Sequence, residues 1–298
     1  MRIERGLYLN RLISKMHNGK VKIITGIRRC GKSYLLRHIF KDYLLENGVQ
    51  ADHILEIALD QKEFEKYRNP NALYDYVLHH ISGGGDYFLF VDEIQLSYKV
   101  KREDADLNKI AKEDQDLAYT TFYDILNDLM AKPNLDIYVT GSNSRMLSKD
   151  IATNFRDRGS EIRMFPLSFS EFYAMSGAEK ADAWAEYVVY GGLALKPMIA
   201  RLMEYSESCV SIPARIGGMP LAVLEPNESE RANYLSGLFE RVYIADVVER
   251  YGVEDAYLGS LIDVVASSVG SLTNPRKLAN TLNSVHHANT SDKTVKKY

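Results

Sequence analysis

Residues 26–33 read Gly26-Ile27-Arg28-Arg29-Cys30-Gly31-Lys32-Ser33, a Gly-x-x-x-x-Gly-Lys-Ser spacing between a short apolar run and a helical pattern. Two glycines at that distance let the backbone curl until successive N–H groups converge, and converging N–H groups attract phosphate oxygens. A helix starting directly after the loop adds the positive end of its dipole. Lys32 then reaches the β- and γ-phosphates of a nucleotide, and the Ser33 hydroxyl ligates Mg²⁺. The stretch expected to hold the nucleotide is Gly26, Ile27, Arg28, Arg29, Cys30, Gly31, Lys32, Ser33 and Tyr34. Arg28 and Arg29 either add positive field or face solvent. Cys30, at a helix start among cations, is expected to have a lowered thiol pKa. A redox role and a small tolerated side chain are its two readings.

A second constellation lies at Phe88-Leu89-Phe90-Val91-Asp92-Glu93, an apolar strand ending in two carboxylates. Asp92 is placed to hold Mg²⁺ opposite Ser33, and Glu93 to polarise an attacking water, a group that hydrolysis needs. A third is Thr140-Gly141-Ser142-Asn143, polar residues directly after a strand, where an open parallel sheet meets its ligand. Ser142 or Asn143 is expected to sense the γ-phosphate or its water; both also cap helices well. Arg156 and Arg158 are candidates for an arginine donated to a neighbouring subunit's γ-phosphate, against the plainer reading of surface arginines near Asp157 and Glu161. The pairs His79-His80 and His286-His287 have no carboxylate or Cys companions at ligand spacing, so no other metal is expected.

The elements that must position these groups follow from periodicity. Strands are expected at 21–25, 53–59, 87–91, 136–140 and 161–165, several of them wholly apolar. Helices are expected from Lys32 to a stop at Gly48, at 71–81 and at 119–131. Such alternation indicates a parallel sheet covered on both faces. The densely charged stretch 97–116 reads as a solvated insertion rather than an interaction arm. After Pro166 the pattern turns mostly helical, near 168–176, 181–189, 228–250 and 255–269, with Trp184 and Tyr187 at helical spacing as core. Asn274-Pro275 caps a further helix, and Ser291 one more. Between 190 and 220, YGGLALKP and IGGMPLAV resemble two versions of one Gly-Gly turn, by insertion or by chance.

The chain has 298 residues and 33.8 kDa, which bounds it at one to two domains. With 46% hydrophobic residues it can bury a sizeable core, which excludes disorder as the dominant state. Lys and Arg number 37 against 40 Asp and Glu, so a chain-wide electrostatic grip on nucleic acid is excluded, while a local basic patch is not. Charges interrupt every apolar run of the N-terminus, and no apolar stretch is long enough for a membrane span. Cys30 and Cys209 are too few for a disulfide framework. The expectation is a cytoplasmic protein.

Four segments in this order, GIRRCGKS, LFVDEIQ at 89–95, VTGSNSRMLS at 139–148 and FPLSFSEF at 165–172, resemble prokaryotic AAA-plus ATPases whose members carry a restriction-nuclease-like C-terminal domain. The resemblance covers about 1–190 well and 228–298 more loosely. It implies an α/β P-loop core over 1–165 with sheet order 5-1-4-3-2, a helical lid over 166–270, and the start of a winged-helix-like segment over 271–298, cut short before the nuclease-like domain. It carries Lys32 and Ser33 to phosphate and Mg²⁺, Asp92 to the metal, Glu93 to the base, and Ser142 or Asn143 to the sensor. Arg158, and after it Arg156, matches the arginine before the PLSF segment. The chain departs from the family in reading Arg158-Gly159 where members read Gly-Arg, and in a detour at 191–218.

Together these point to an ATP- and Mg²⁺-binding AAA-plus ATPase that works as a conformational switch, as a candidate homo-oligomer. DNA or a protein partner is a candidate ligand of the C-terminal segment, through Arg276, Lys277, Lys293, Lys296 and Lys297; solvated lysines on a lid helix pair are the alternative. The rival reading is a nucleotide-gated binding module with little or no hydrolysis. A P-loop kinase is weaker, because Glu93 follows Asp92.

Overall fold

The computed structural model describes residues 3–81, 83–103, 105, 116, 118–141, 158–168, 171, 184–189, 192–197, 218–244, 248, 255–268, 272–285 and 290–297, and every structural statement concerns these. The chain divides into two compact units, 1–224 and 225–298.

Five strands of the first unit form one sheet: β1 (Val21–Thr25), β2 (Ile54–Ala58), β3 (Tyr87–Asp92), β4 (Leu135–Gly141) and β5 (Gly159–Arg163). All pair in parallel, and the order across the sheet is 5-1-4-3-2. The apolar runs of β1, β3 and β4 are buried along their whole length, as strands covered on both faces must be. Ile24 aligns with Thr140, and Val91 with Val139. The carboxyl ends of β1, β3 and β4 therefore lie side by side, and so do the loops that leave them.

The covering helices are α1 (Gly6–Ile13), α2 (32–46), α3 (Pro70–His80) and α4 (Phe122–Leu129). Tyr8 and Leu12 of α1 pack with Leu35, Leu36, Ile39, Phe40 and Leu44 of α2 against Ile24, Phe88, Phe90 and Tyr138. On the opposite face Leu73 and Val77 of α3 join Ile125, Leu126 and Leu129 of α4 over Ile23, Leu89, Val91 and Val139. The helix α2 is π-helical over Leu35–Phe40 and ends before Gly48, whose φ of 86° is the left-handed cap its type allows. Asn69 caps α3 through Asn71 and Ala72 N–H with Pro70 following, and Thr121 and Asp124 form a capping box on α4.

At the amino-terminal edge of the sheet, Lys22 is fully buried and donates to Asp136, whose other oxygen accepts from Tyr138 Oη at 2.8 Å and from the His17 N–H at 3.0 Å. Burial lowers the Lys22 pKa despite that partner, and raises that of Tyr138. This network holds structure rather than ligand, since the phosphate loop lies at the other edge.

In the charged insertion, Val100–Lys101 pairs antiparallel with Tyr119–Thr120, and Lys101, Arg102, Glu103 and Asp116 are exposed. The helix expected over 181–189 is not formed. Trp184–Val189 is a strand paired antiparallel with Gly192–Pro197, Val189 opposite Gly192. Its aromatic and β-branched residues favour the extended backbone over the helix that their spacing also permits. Residues 198–217, including Gly217 of the second Gly-Gly pair, lie outside the described residues. A short helix, α5 (Pro220–Leu224), closes the first unit.

The second unit is helical: α6 (Glu228–Leu238), which continues as a π-helical Phe239–Ile244, α7 (Asp255–Ser267), α8 (Pro275–Val285) and α9 (Asp292–Lys297). Leu261, Val264, Ala279, Leu282 and Val295 form its core. The expected caps are in place. Asn274 Oδ1 accepts the Lys277 N–H at 2.9 Å, and Ser291 Oγ accepts the Thr294 N–H at 3.2 Å. Arg276, Lys277, Lys293 and Lys296 are exposed.

Candidate nucleotide-binding site

The glycine loop leaves β1 at Gly26 and enters α2 at Lys32. Gly26 takes a φ of 151°, and a Cβ there would lie 2.3 Å from the Met164 carbonyl oxygen, so only glycine fits. Gly31, with a φ of 99°, caps α2, and no acidic residue stands in the first helical turn. The curled loop, the helix start and the missing carboxylate together make an anion cradle. Lys32 is buried and donates to the carbonyls of Gly26 at 3.1 Å and Ile27 at 3.0 Å, spanning the loop. Ile27, Arg28 and Arg29 are exposed, which leaves the two arginines to field or solvent rather than core.

Ser33 Oγ donates to Asp92 Oδ1 at 3.0 Å, so the hydroxyl and the carboxylate expected at a common ion do meet. Thr140, fully buried at the end of β4, donates to the same Asp92 oxygen and accepts the Glu93 N–H at 3.1 Å. Sequence reading passed over Thr140 for its neighbours Ser142 and Asn143, which lie outside the described residues, as does Arg156. The signal was available: Thr140 stands one step beyond Val139, in register with Asp92. Glu93 has a φ of 53°, a left-handed backbone that a non-glycine residue holds at a cost on the order of 1–3 kcal/mol. Gln95 Nε2 donates to its carboxylate.

A cavity of about 390 Å³ opens beside the loop. Its lining includes Arg5, Lys32, Ser33 and Glu93 together with Ile3, Tyr34, Met164, Pro220, Leu221 and Leu224. The cavity thus combines charged groups with apolar side chains. Arg158 is exposed, and its carbonyl accepts the Val21 N–H at 3.1 Å, at the amino-terminal end of β1 and β5, whereas the cradle follows the carboxyl end of β1. It is therefore not brought to its own chain's site.

Cys30 corrects an expectation. It is fully buried with Sγ 3.8 Å from the Met164 carbonyl, and burial pushes the thiol pKa up, outweighing the nearby Lys32 and Arg5 charges. A protonated, enclosed thiol is a packing side chain, not a nucleophile.

The residues present fit a divalent ion of the Mg²⁺ type. Ser33 and Asp92 offer two hard oxygens, and among the described residues no group of three or more His, Cys, Asp or Glu is arranged to hold a metal alone. Mg²⁺ commonly binds this way, through one or two protein oxygens with phosphate and water supplying the rest.

Fold and site together define a P-loop ATPase domain of the AAA type. The AAA domain profile matches residues 18–173, and the chain belongs to that family. Residues 214–298 match a domain of unknown function. An uncharacterized protein of Haemophilus influenzae is 31% identical over 299 residues, covering 99% of this chain and 63% of its own length. One of Methanocaldococcus jannaschii is 27% identical over 245 residues, covering 81% of this chain and 45% of its own. The chain thus spans less than two thirds of either relative. A Walker-type ATPase of Pyrococcus abyssi aligns over 99% of this chain and 95% of its own, with a TM-score of 0.45 and 16% identity. Among the described residues no helix is long and apolar enough to cross a membrane.

Proposed function

We propose that the chain binds ATP with Mg²⁺ and hydrolyses it to ADP and phosphate, as a conformational switch. The observation that carries this reading is the Ser33 hydroxyl bonded to Asp92 beside the glycine cradle, with Glu93 lining the same cavity. The cradle N–H groups and Lys32 hold the phosphate chain and offset charge developing on the transferring phosphoryl. Ser33 and Asp92 would hold Mg²⁺, which would supply positive charge against the phosphates. Glu93 orients and deprotonates the attacking water. The apolar wall of Ile3, Tyr34, Pro220, Leu221 and Leu224 suits the flat, weakly polar face of a purine. Ser142 or Asn143, which follow β4 in sequence, senses the γ-phosphate or its water.

Arg158, at the strand end away from its own cradle, serves a neighbouring subunit's nucleotide, with Arg156 as the substitute, so the active form is a homo-oligomer. The exposed Arg276, Lys277, Lys293 and Lys296 support a DNA contact for the second unit. A reduced, cytoplasmic setting belongs to this reading.

Titration calorimetry with ATP, with and without Mg²⁺, tests the site. Wild type should bind ATP more tightly with Mg²⁺, and Asp92→Asn should lower the Mg²⁺ affinity at least about tenfold. Failure of wild type to bind ATP would contradict the reading, and so would an Asp92→Asn variant with unchanged Mg²⁺ dependence.

A further inference from the structure

Arg5 is 2% exposed, and no role in ATP chemistry requires it. A buried guanidinium persists only with partners, and those of Arg5 come from two distant parts of the chain, the glycine loop and the segment 165–171, besides Tyr8 nearby. Nη1 donates to the Cys30 carbonyl inside the glycine loop at 3.4 Å, and Nη2 to the Phe165 carbonyl at 2.5 Å. Nε lies 3.0 Å from Glu171 Oε1, and the guanidinium sits 4.7 Å from the Tyr8 ring centroid. Tyr8 Oη in turn accepts the Phe165 N–H at 3.1 Å.

The far side of this clamp is built by the PLSFSEF segment. Glu171 Oε2 accepts from the Ser168 N–H at 2.8 Å and from Ser168 Oγ at 3.0 Å, while the Glu171 N–H donates to Ser168 Oγ at 3.3 Å. This reciprocal capping box fixes the carboxylate and leaves its other oxygen facing Arg5. The segment also walls the loop: the Met164 N–H donates to Thr25 O at 2.7 Å, and the Met164 carbonyl abuts Gly26.

We infer that Arg5 is a positioning residue for phosphate binding, holding the Cys30–Gly31 peptide so that the Gly31 N–H faces the cradle. In a trans peptide the carbonyl and the following N–H point in opposite directions. Drawing the Cys30 carbonyl to the buried guanidinium turns the Gly31 N–H away from Arg5, so that it can converge with the other loop amides on an anion. Neutralising Glu171 needs only one positive charge, which a lysine would supply. Bridging the Cys30 and Phe165 carbonyls as well needs the planar fork of an arginine.

The inference rests on the phosphate-binding reading of the loop, and its test separates the two. Arg5→Lys keeps a charge for Glu171 and loses the fork; Arg5→Met combined with Glu171→Gln removes both charges, should the first variant fold poorly. Binding of ATP, Mg²⁺-tripolyphosphate and adenosine is measured for each, with the melting temperature of the unliganded protein. The expected result is a parallel loss for ATP and tripolyphosphate of about 10- to 100-fold, with adenosine binding and melting close to wild type. Loss for adenosine without loss for tripolyphosphate would overturn it, placing Arg5 on the nucleoside. Unchanged binding of all three, or a general loss with lowered melting, would overturn it as well. If wild type binds neither ATP nor tripolyphosphate, the loop reading itself falls; if it binds both and the variants match it, only the role of Arg5 does.

Discussion

Asp92 receives two hydroxyls on one oxygen, from Ser33 across the loop and from Thr140 across the sheet, and Thr140 also accepts the N–H of Glu93. One buried threonine therefore holds the Asp92 carboxylate and the Glu93 backbone. Thr140→Val keeps the shape and deletes the hydroxyl, leaving the Glu93 N–H without this acceptor and its strained backbone less constrained. Its turnover number should fall about 10- to 100-fold with folding retained, and Thr140→Ser should restore most of it. Steady-state phosphate release beside a circular dichroism spectrum checks this, and a Thr140→Val variant at wild-type turnover would remove Thr140 from the site. Lys32, Ser33, Asp92 and Glu93 were legible because their motifs are local in the chain. Thr140 and Arg5 were not, because their partners are set by strand register and by tertiary packing. Arg5 in sequence is only one charge interrupting an apolar run, and nothing near it announces burial.

β3 links packing to chemistry, since the strand that fills the core also carries Asp92 and Glu93 to the cradle. Leu89, fully buried between β2 and β4, packs with Val91, Ile137 and the α3 and α4 side chains. Leu89→Ala should cost about 2–5 kcal/mol of stability, from lost burial plus the cavity left behind. Urea unfolding followed by circular dichroism measures it, and a cost below about 1 kcal/mol would mean that the strand does not sit in a close-packed core. The five parallel strands could be read from the chain because strands covered on both faces are almost purely apolar, with little competing signal. Trp184–Val189 could not, because Trp184, Tyr187 and Val188 satisfy a helical spacing as well as an extended one, and pairing with Gly192–Pro197 decides between them.

For the whole molecule, the phosphate loop and Arg158 stand at opposite ends of the neighbouring strands β1 and β5, so a single copy does not bring Arg158 to its own cradle. If the arginine comes from a neighbour, turnover per chain rises with protein concentration. The relatives extend well past the length this chain covers. The proposed hydrolysis rests on Glu93 as the base. The most direct measurement is phosphate release from Mg-ATP by wild type and Glu93→Gln, beside binding of a fluorescent ATP analogue to both. Wild type should turn over, and Glu93→Gln should bind the analogue with similar affinity while losing on the order of 10²- to 10⁴-fold in rate. Equal rates in the two proteins would contradict Glu93 as the base. Binding without turnover in wild type would contradict the hydrolase and leave a nucleotide-gated binding module.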